Sequence, residues 1–344
     1  MPPSPRSPLQ ATAERALKPL DRARWYTLRG LGPIARPFIV SRDLRVGVGG
    51  ALMILTSLAL TVVAPMWLLA LGPITLGVAH VLSDVRYLVV KPGHHKRRAL
   101  WIAAGVPLLA VCAGGGVLAG LIGCAAVVLV ARGPLRRKLA AWAVLGALLW
   151  GAARLGWVAD LIFAHAHNAI AILLWWLWRD RDSAWHWLPL LAFLGGSALL
   201  AGGTFEALMI SSGALFWSPE GLDLSYHLRS LARGVSAAPW DLRLVVLFAF
   251  AQAVHYTIWL RLVPDEDRPQ PTPRTFTSSY RALRDEFGDV ALILVTLFAL
   301  AIGVWAVFDL FSARNGYLRM AIFHGHLELA ALSLWWVEER GETS

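Results

Sequence analysis

The strongest constraint on this chain is a rhythm of uncharged apolar runs. They recur from Val48 to Trp336, separated mostly by short basic gaps. Most approach the roughly 20 residues that cross a bilayer. In lipid the backbone must satisfy its own hydrogen bonds within each segment, so such runs fold as helices. The expected fold is therefore all-α: a polytopic integral membrane helical bundle of about ten transmembrane helices, not a soluble enzyme. Only 16% of the 344 residues are charged and 57% are hydrophobic, against about 25% charged in soluble domains.

The expected crossings cover about residues 48–64, 66–90, two short helices within 100–131, then 139–152, 157–178, 187–202, 242–262, 290–311 and 319–337. The stretch 100–131 is too long for one crossing and is divided at Gly114, Gly115 and Gly116. A basic segment, 1–45, precedes this transmembrane domain (46–338) and a short tail, 339–344, follows it. The basic segment carries Arg15, Lys18, Arg22, Arg24 and Arg29 and reads either as an amphipathic helix on the inner leaflet or as a disordered tail. Inside the domain lie a long polar outer segment, 203–241, and a proline-rich cytoplasmic loop, 264–287.

The formal net charge of +10 sits in the gaps. With both termini in the cytoplasm, most of the 32 Lys and Arg fall on the inner side, as the positive-inside rule requires. The charge then faces membrane lipids, and no nucleic-acid partner is expected. Trp178, Trp185, Trp187, Trp240, Trp335 and Trp336 lie near proposed helix ends, where interfacial tryptophans collect. The first 30 or so residues lack the apolar core of a secretory signal, so the first crossing is the expected insertion signal, and the inner (cytoplasmic) membrane the expected location. Cys112 and Cys124 lie in apolar runs and read as small hydrophobes.

Histidine carries the chemical information. Of ten histidines, six lie within apolar helices: His80, His165, His167, His255, His324 and His326. Polar groups at that depth are costly and usually functional. They occupy the four helices that run from outside to inside, about 8 to 21 Å below the outer ends at 1.5 Å per residue. Each helix also offers a polar partner three or four residues away on the same face: His80 with Asp84, His165 with Asn168, His255 with Gln252, and His324 with Glu328. A metal-bound imidazole commonly donates its second N–H to such a group. The expected ligands are therefore His80, His165, His255 and His324, with His167 and His326 in reserve and Asp84, Asn168, Gln252 and Glu328 orienting them. Many imidazoles with few carboxylates suit iron first, with copper and zinc as alternatives, rather than calcium or magnesium. Arg86 and Arg261 read as snorkelling to the inner headgroups. Glu206, Glu220, Asp223 and His227 read as a solvated outer segment, with a lid or second site as the alternative.

The stretch GVAHVLSD, which contains His80 and Asp84, resembles the GxxHGxxDH signature of Brp/Blh-type membrane β-carotene cleavage oxygenases. FAHAHNAI and QAVHYTIWLRLVP are loosely similar to later helices of that family. Val81 and Val85 stand where the family has glycine and a second histidine, and His255 precedes Trp259 where the family has Trp-His, so the carry-over rests on His80 and Asp84. The resemblance implies iron held by histidines from several helices and oxidative cleavage of a carotenoid. The HxxxH and HxxHH boxes of membrane desaturases are absent.

The functional expectation is a membrane-embedded, histidine-ligated non-haem metal oxygenase acting on an apolar lipid or isoprenoid that enters from the bilayer. The alternative is a proton- or ion-coupled transporter in which His80, Asp84 and His255 relay protons. A scaffold without catalysis is a third reading. The sequence leaves the substrate and the oligomeric state open.

Overall fold

Every regular element is a helix in the computed structural model, which describes residues 8–177, 183–235, 238–268 and 272–338. Trp178, the RDRD sequence at 179–182 and the tail 339–344 lie outside the described residues. The basic segment forms α1 (Pro8–Gly30). α2 (Arg42–Val63) starts where the Ser41 hydroxyl accepts the Leu44 N–H, a favourable N-cap. α3 (Pro65–Thr75) opens on a proline, well placed in a first turn. At Leu76 the chain bends, and α4 (Gly77–Val85) runs on to Val90 at 54° to α3.

α5 (residues 98–115) and α6 (Gly116–Val130) form a hairpin. Gly114 has φ 102° and Gly116 φ 57°, a region that a Cβ disfavours. There the chain doubles back. A Cβ on Gly123 would stand 3.0 Å from Pro107, and Arg97 donates to the Val130 carbonyl at 3.1 Å. An unbroken helix would hold residues 97 and 130 about 50 Å apart. α7 (Leu135–Leu155), α8 (Trp157–Leu177) and α9 (Trp187–Ala201) follow. The polar segment then forms α10 (Leu224–Leu231), capped by the Asp223 carboxylate. α11 (Trp240–Thr257) continues to Glu266.

α12 (Phe276–Phe308) leaves helical geometry at Gly288, with φ 80° and ψ 164°. Its first part is an arm bound to α1: Arg281 donates to the Glu14 carboxylate at 2.7 and 2.8 Å, and Asp21 accepts the Phe276 N–H at 2.6 Å. Its second part is the apolar run expected from residue 290. α13 (Leu310–Ala321) and α14 (Phe323–Val337) are separated by a break at Ile322.

Among the described residues, seven helices are long and apolar enough to cross a membrane, or eight when α3 and α4 count as one bent span. They mark the chain as a multi-pass membrane protein. Ten separate spans are not shown. The count is lower because residues 98–130 pass as a single stretch of 33 and because α13 and α14, at 12 and 15 residues, are each short. At the end that carries the basic loops, ion pairs tie the elements together. Arg45 meets Asp265 at 2.7 Å, Arg97 meets Glu338 at 2.9 Å, and Lys91 meets Asp267. Arg86 does not snorkel outward: it forms a two-pronged pair with Glu286 of the α12 arm at 2.6 and 2.8 Å. Arg261 turns to Asp265 at 3.4 Å. The main core packs α11 (Phe250, Val254, Trp259) against Ile54, Tyr87, Trp175 and Leu327.

Candidate metal centre

Two of the helix breaks place the site. The bend at Leu76 turns α4 so that His80 and Asp84, one turn apart, both lie buried. The break at Ile322 starts α14 two residues before His324. α11 brings His255 between them. The His80 and His324 rings lie 4.8 Å apart, His80 and His255 5.3 Å, and His255 and His324 5.4 Å. Nε2 of His80 stands 3.3 Å from Nε2 of His324. One ligand atom from each of His80, Asp84, His255 and His324 falls within a group no wider than 4.8 Å. Donors around a tetrahedral first-row ion with bonds of about 2.0–2.2 Å stand about 3.3–3.6 Å apart, so the group closes on such an ion with side-chain shifts of about an ångström.

The tautomers fit that use. Nδ1 of His324 lies 2.5 Å from the Ala321 carbonyl. A carbonyl only accepts, so the proton sits on Nδ1 and Nε2 keeps its lone pair toward the group. His167 does the same, with Nδ1 at 2.8 Å from the Ala164 carbonyl, and its ring stands 5.4 Å from both His255 and His324. Gly325 allows that approach: a Cβ there would lie 3.1 Å from the His167 ring.

Several atoms of the group lack partners among the described residues: Nδ1 of His80, both nitrogens of His255, both oxygens of Asp84 and Oε2 of Glu328, all buried. Orphaned polar atoms are rare in folded interiors, and uncompensated buried carboxylates are costlier still. A divalent cation satisfies the lone pairs and offsets the charges together. Three imidazoles and a carboxylate suit iron, copper, zinc or manganese.

The expected ligand set changes in two ways. His165 is not part of the group: its Nε2 contacts the Leu231 carbonyl at 2.8 Å and its ring stands edge-on to Phe248. His167, two residues on, takes the inward position. Asp84 is not a remote orienting group but one of the four candidate ligands. His326 faces α6 and α8, its ring centre 4.2 Å from that of Phe163 and tilted by 38°, with Nδ1 3.2 Å from the Ile322 carbonyl.

The orienting partners change as well. Asn168 donates back to the Ala164 carbonyl at 3.2 Å rather than to a histidine. Gln252 is buried in the cavity wall. Glu328 does not serve His324; its Oε1 accepts from Trp259 Nε1 at 2.7 Å and lies 3.7 Å from His255 Nε2. Trp259, Tyr256 and Tyr317 are neighbours of the group or its cavity that same-helix spacing did not indicate. Tyr256 packs on His80 at 4.6 Å, and the buried Tyr317 hydroxyl has no partner among the described residues.

The group opens into a cavity of about 290 Å³, whose walls include His167, Phe163, Phe248, Tyr317, Tyr226 and Arg314. Around its far side the polar segment is ordered by local pairs. Glu206 meets Arg243 at 3.2 Å, and Asp223 accepts the Tyr226 N–H at 2.8 Å. His227 is fully buried; burial first, and then the Arg314 cation, push its pKa down to about 4. It is therefore neutral at physiological pH. Comparison with protein-family models, curated proteins and solved structures finds no match for the chain.

Proposed function

We propose that this chain is a membrane-embedded non-haem metal oxygenase, with iron held by His80, Asp84, His255 and His324, that oxidises a lipid-soluble substrate. The observation that carries the reading is the buried group of four candidate ligand atoms, whose remaining partners are missing among the described residues. An ion bound there supplies a redox-active centre for reaction with dioxygen. Copper and zinc are the alternatives to iron, and zinc carries no redox chemistry.

The chain's own residues do the rest. Glu328, fixed by Trp259, stands 3.7 Å from Nε2 of His255. Tyr317 lines the cavity, and its buried hydroxyl, which has no partner among the described residues, is available as a hydrogen-bond donor. Phe163, Phe248 and Leu318 give the cavity an apolar wall. A second, almost wholly apolar pocket of about 200 Å³ lies between α4, α5 and α14, lined by Leu88, Leu100, Phe323 and Leu327. These features support a substrate drawn from lipid, an isoprenoid or carotenoid among them. In the carotenoid case one C=C bond breaks and the two atoms of one dioxygen become the two carbonyl oxygens, with no outside electron donor.

The proposed setting is the cytoplasmic membrane, crossed ten times with both termini inside. Ten crossings are supported by the α5–α6 hairpin, which brings the chain back to the end it left, and by the α13–α14 pair, which ends beside Arg97 at that same end. The transporter reading keeps one specific observation in its favour. Two helices break beside the histidines, at Leu76 and Ile322, and discontinuous helices line the binding sites of many transporters.

Elemental analysis and oxygen uptake separate the two. The purified protein is expected to carry about one or two equivalents of iron and to consume dioxygen with a lipid extract, and Asp84→Asn to weaken metal retention by more than the roughly 10–100-fold that an orienting partner costs. Metal-free protein that moves an unchanged solute along a proton gradient overturns the oxygenase reading.

A further inference from the structure

We infer that the histidine cavity takes a single-chain amphiphile with an anionic oxyacid head, and that Arg314 and Asn315 hold that head, with Tyr226 fixing the Asn315 amide. The inference rests on the reading of this cavity as the substrate site and adds the chemistry of the end of the substrate remote from the metal ligands.

Arg314 is 4% exposed and lines the same cavity as His80, His255 and His324. Its polar contacts are to uncharged groups: Nε donates to the Leu69 carbonyl at 2.9 Å and Nη1 to the Asn315 side-chain oxygen at 2.8 Å, while the Tyr226 ring lies 5.9 Å from the guanidinium carbon. Among the described residues no carboxylate pairs with it. The nearby acids are engaged elsewhere. Asp160 accepts the Val117 N–H at 2.7 Å, Glu206 holds Arg243, Asp223 caps α10, and Asp84 and Glu328 stand among the histidines. A guanidinium stays charged in any protein environment, and a buried charge without a counter-ion is costly.

The neighbours add donors and no negative charge. The Asn315 oxygen accepts from Arg314 and from the Tyr226 hydroxyl, the latter at 3.0 Å. That commits the oxygen and leaves the amide N–H groups for a ligand. A planar guanidinium beside an amide donor matches a carboxylate or phosphate, which accepts two hydrogen bonds side by side. Neutral His227 brings no anion.

The spacing is bounded as well. Arg314 and His324 are ten residues apart on helices that break at Ile322. A straight helix would place them about 15 Å apart, so the break makes that an upper limit along the axis. The backbone positions of Arg314 and His324 are therefore within about 15 Å along the axis, and the cavity they share is also walled by Phe163, Tyr317 and Leu318.

The test compares oleate, oleyl phosphate and oleyl alcohol binding to the metal-loaded protein in a neutral detergent, corrected for partition into empty micelles. The wild type is expected to bind at least one of the two anions about tenfold more tightly than the alcohol, the margin of one charge-assisted pair; the better anion identifies the head as carboxylate or phosphate. Arg314→Gln is expected to bring the ratio to about one, with metal content unchanged, while Arg243→Gln, which lies outside the cavity, keeps it. Equal binding of all three by the wild type overturns the inference, and that comparison decides alone should Arg314→Gln fail to assemble. Metal-bound protein without head-group selectivity defeats only this inference. Selective binding by protein that cannot retain metal defeats only the oxygenase reading.

Discussion

α11 and α12 are both apolar enough to span a bilayer, yet they occupy opposite environments. The apolar 18-residue window within Trp240–Glu266 has mean hydropathy 1.4 and is 61% buried, whereas that within Phe276–Phe308 has mean hydropathy 2.7 and is 6% buried. In α12, Ile302 is the one buried residue among those described, and Val290, Leu294, Leu297, Leu300, Val304 and Phe308 face outward. The more hydrophobic helix is thus on the outside. In lipid, apolar side chains gain nothing by leaving the solvent, and close packing and polar contacts draw helices together instead. The helix that carries Gln252, His255 and Trp259 is central because those groups need protein partners.

The widest test of this contrast is His255→Ala against Val304→Ala. Losing His255 removes a ligand from the centre and is expected to cost well over the roughly 10–100-fold attached to an orienting partner, leaving purified protein nearly metal-free by elemental analysis. Val304→Ala is expected to leave metal content at the wild-type value. Equal loss in both variants would show that α12 is not a passive shell.

A smaller effect is expected at the contact between α6 and α14. A Cβ on Gly120 would overlap the His326 ring, which Phe163 confines from the other side. Gly120→Ala should therefore destabilise the protein by about 1–3 kcal/mol, read as a lower midpoint of thermal unfolding in detergent. The same substitution at Gly146, where nothing lies within 4 Å of the added carbon, should not lower it. The smallest informative effect is at the HxH pair of α8. His165→Ala forfeits one bond to the Leu231 carbonyl, about 1 kcal/mol, and should keep its metal. His167→Ala should lose part of it. The reverse order would restore His165 to the site.

That pair also shows where sequence reasoning ends. The depth of the histidines on four helices followed from run length and the 1.5 Å rise, and His80, His255 and His324 do meet. The choice between His165 and His167 depends on how α8 is rotated against α11 and α14, which no single-helix pattern records. Glu328 was legible as buried and polar, but its pairing with Trp259 and its place beside His255 are relations between helices. Spacing of four residues put Asp84 on the face of His80, while its place within the ligand group also depends on where the bend at Leu76 carries α4. The triple glycine was readable as a turn because positive φ is a local property. The break at Ile322 has no such signature, so 319–337 looked like one continuous helix.

The pairing of Arg97 with Glu338 has a consequence in time. Glu338 accepts from Arg97 and from the Arg132 N–H, so the end of α14 fastens to loops made some two hundred residues earlier. His80 and Asp84 are translated long before His324, and during that interval they sit in an emerging bundle without their fourth companion. A chain halted after α11 has His80, Asp84 and His255 and the surface on which α14 packs, but no α14, and its orphaned polar atoms face that gap. The group of four candidate ligand atoms is thus complete only after α14 has been made and packed, long after synthesis of α4.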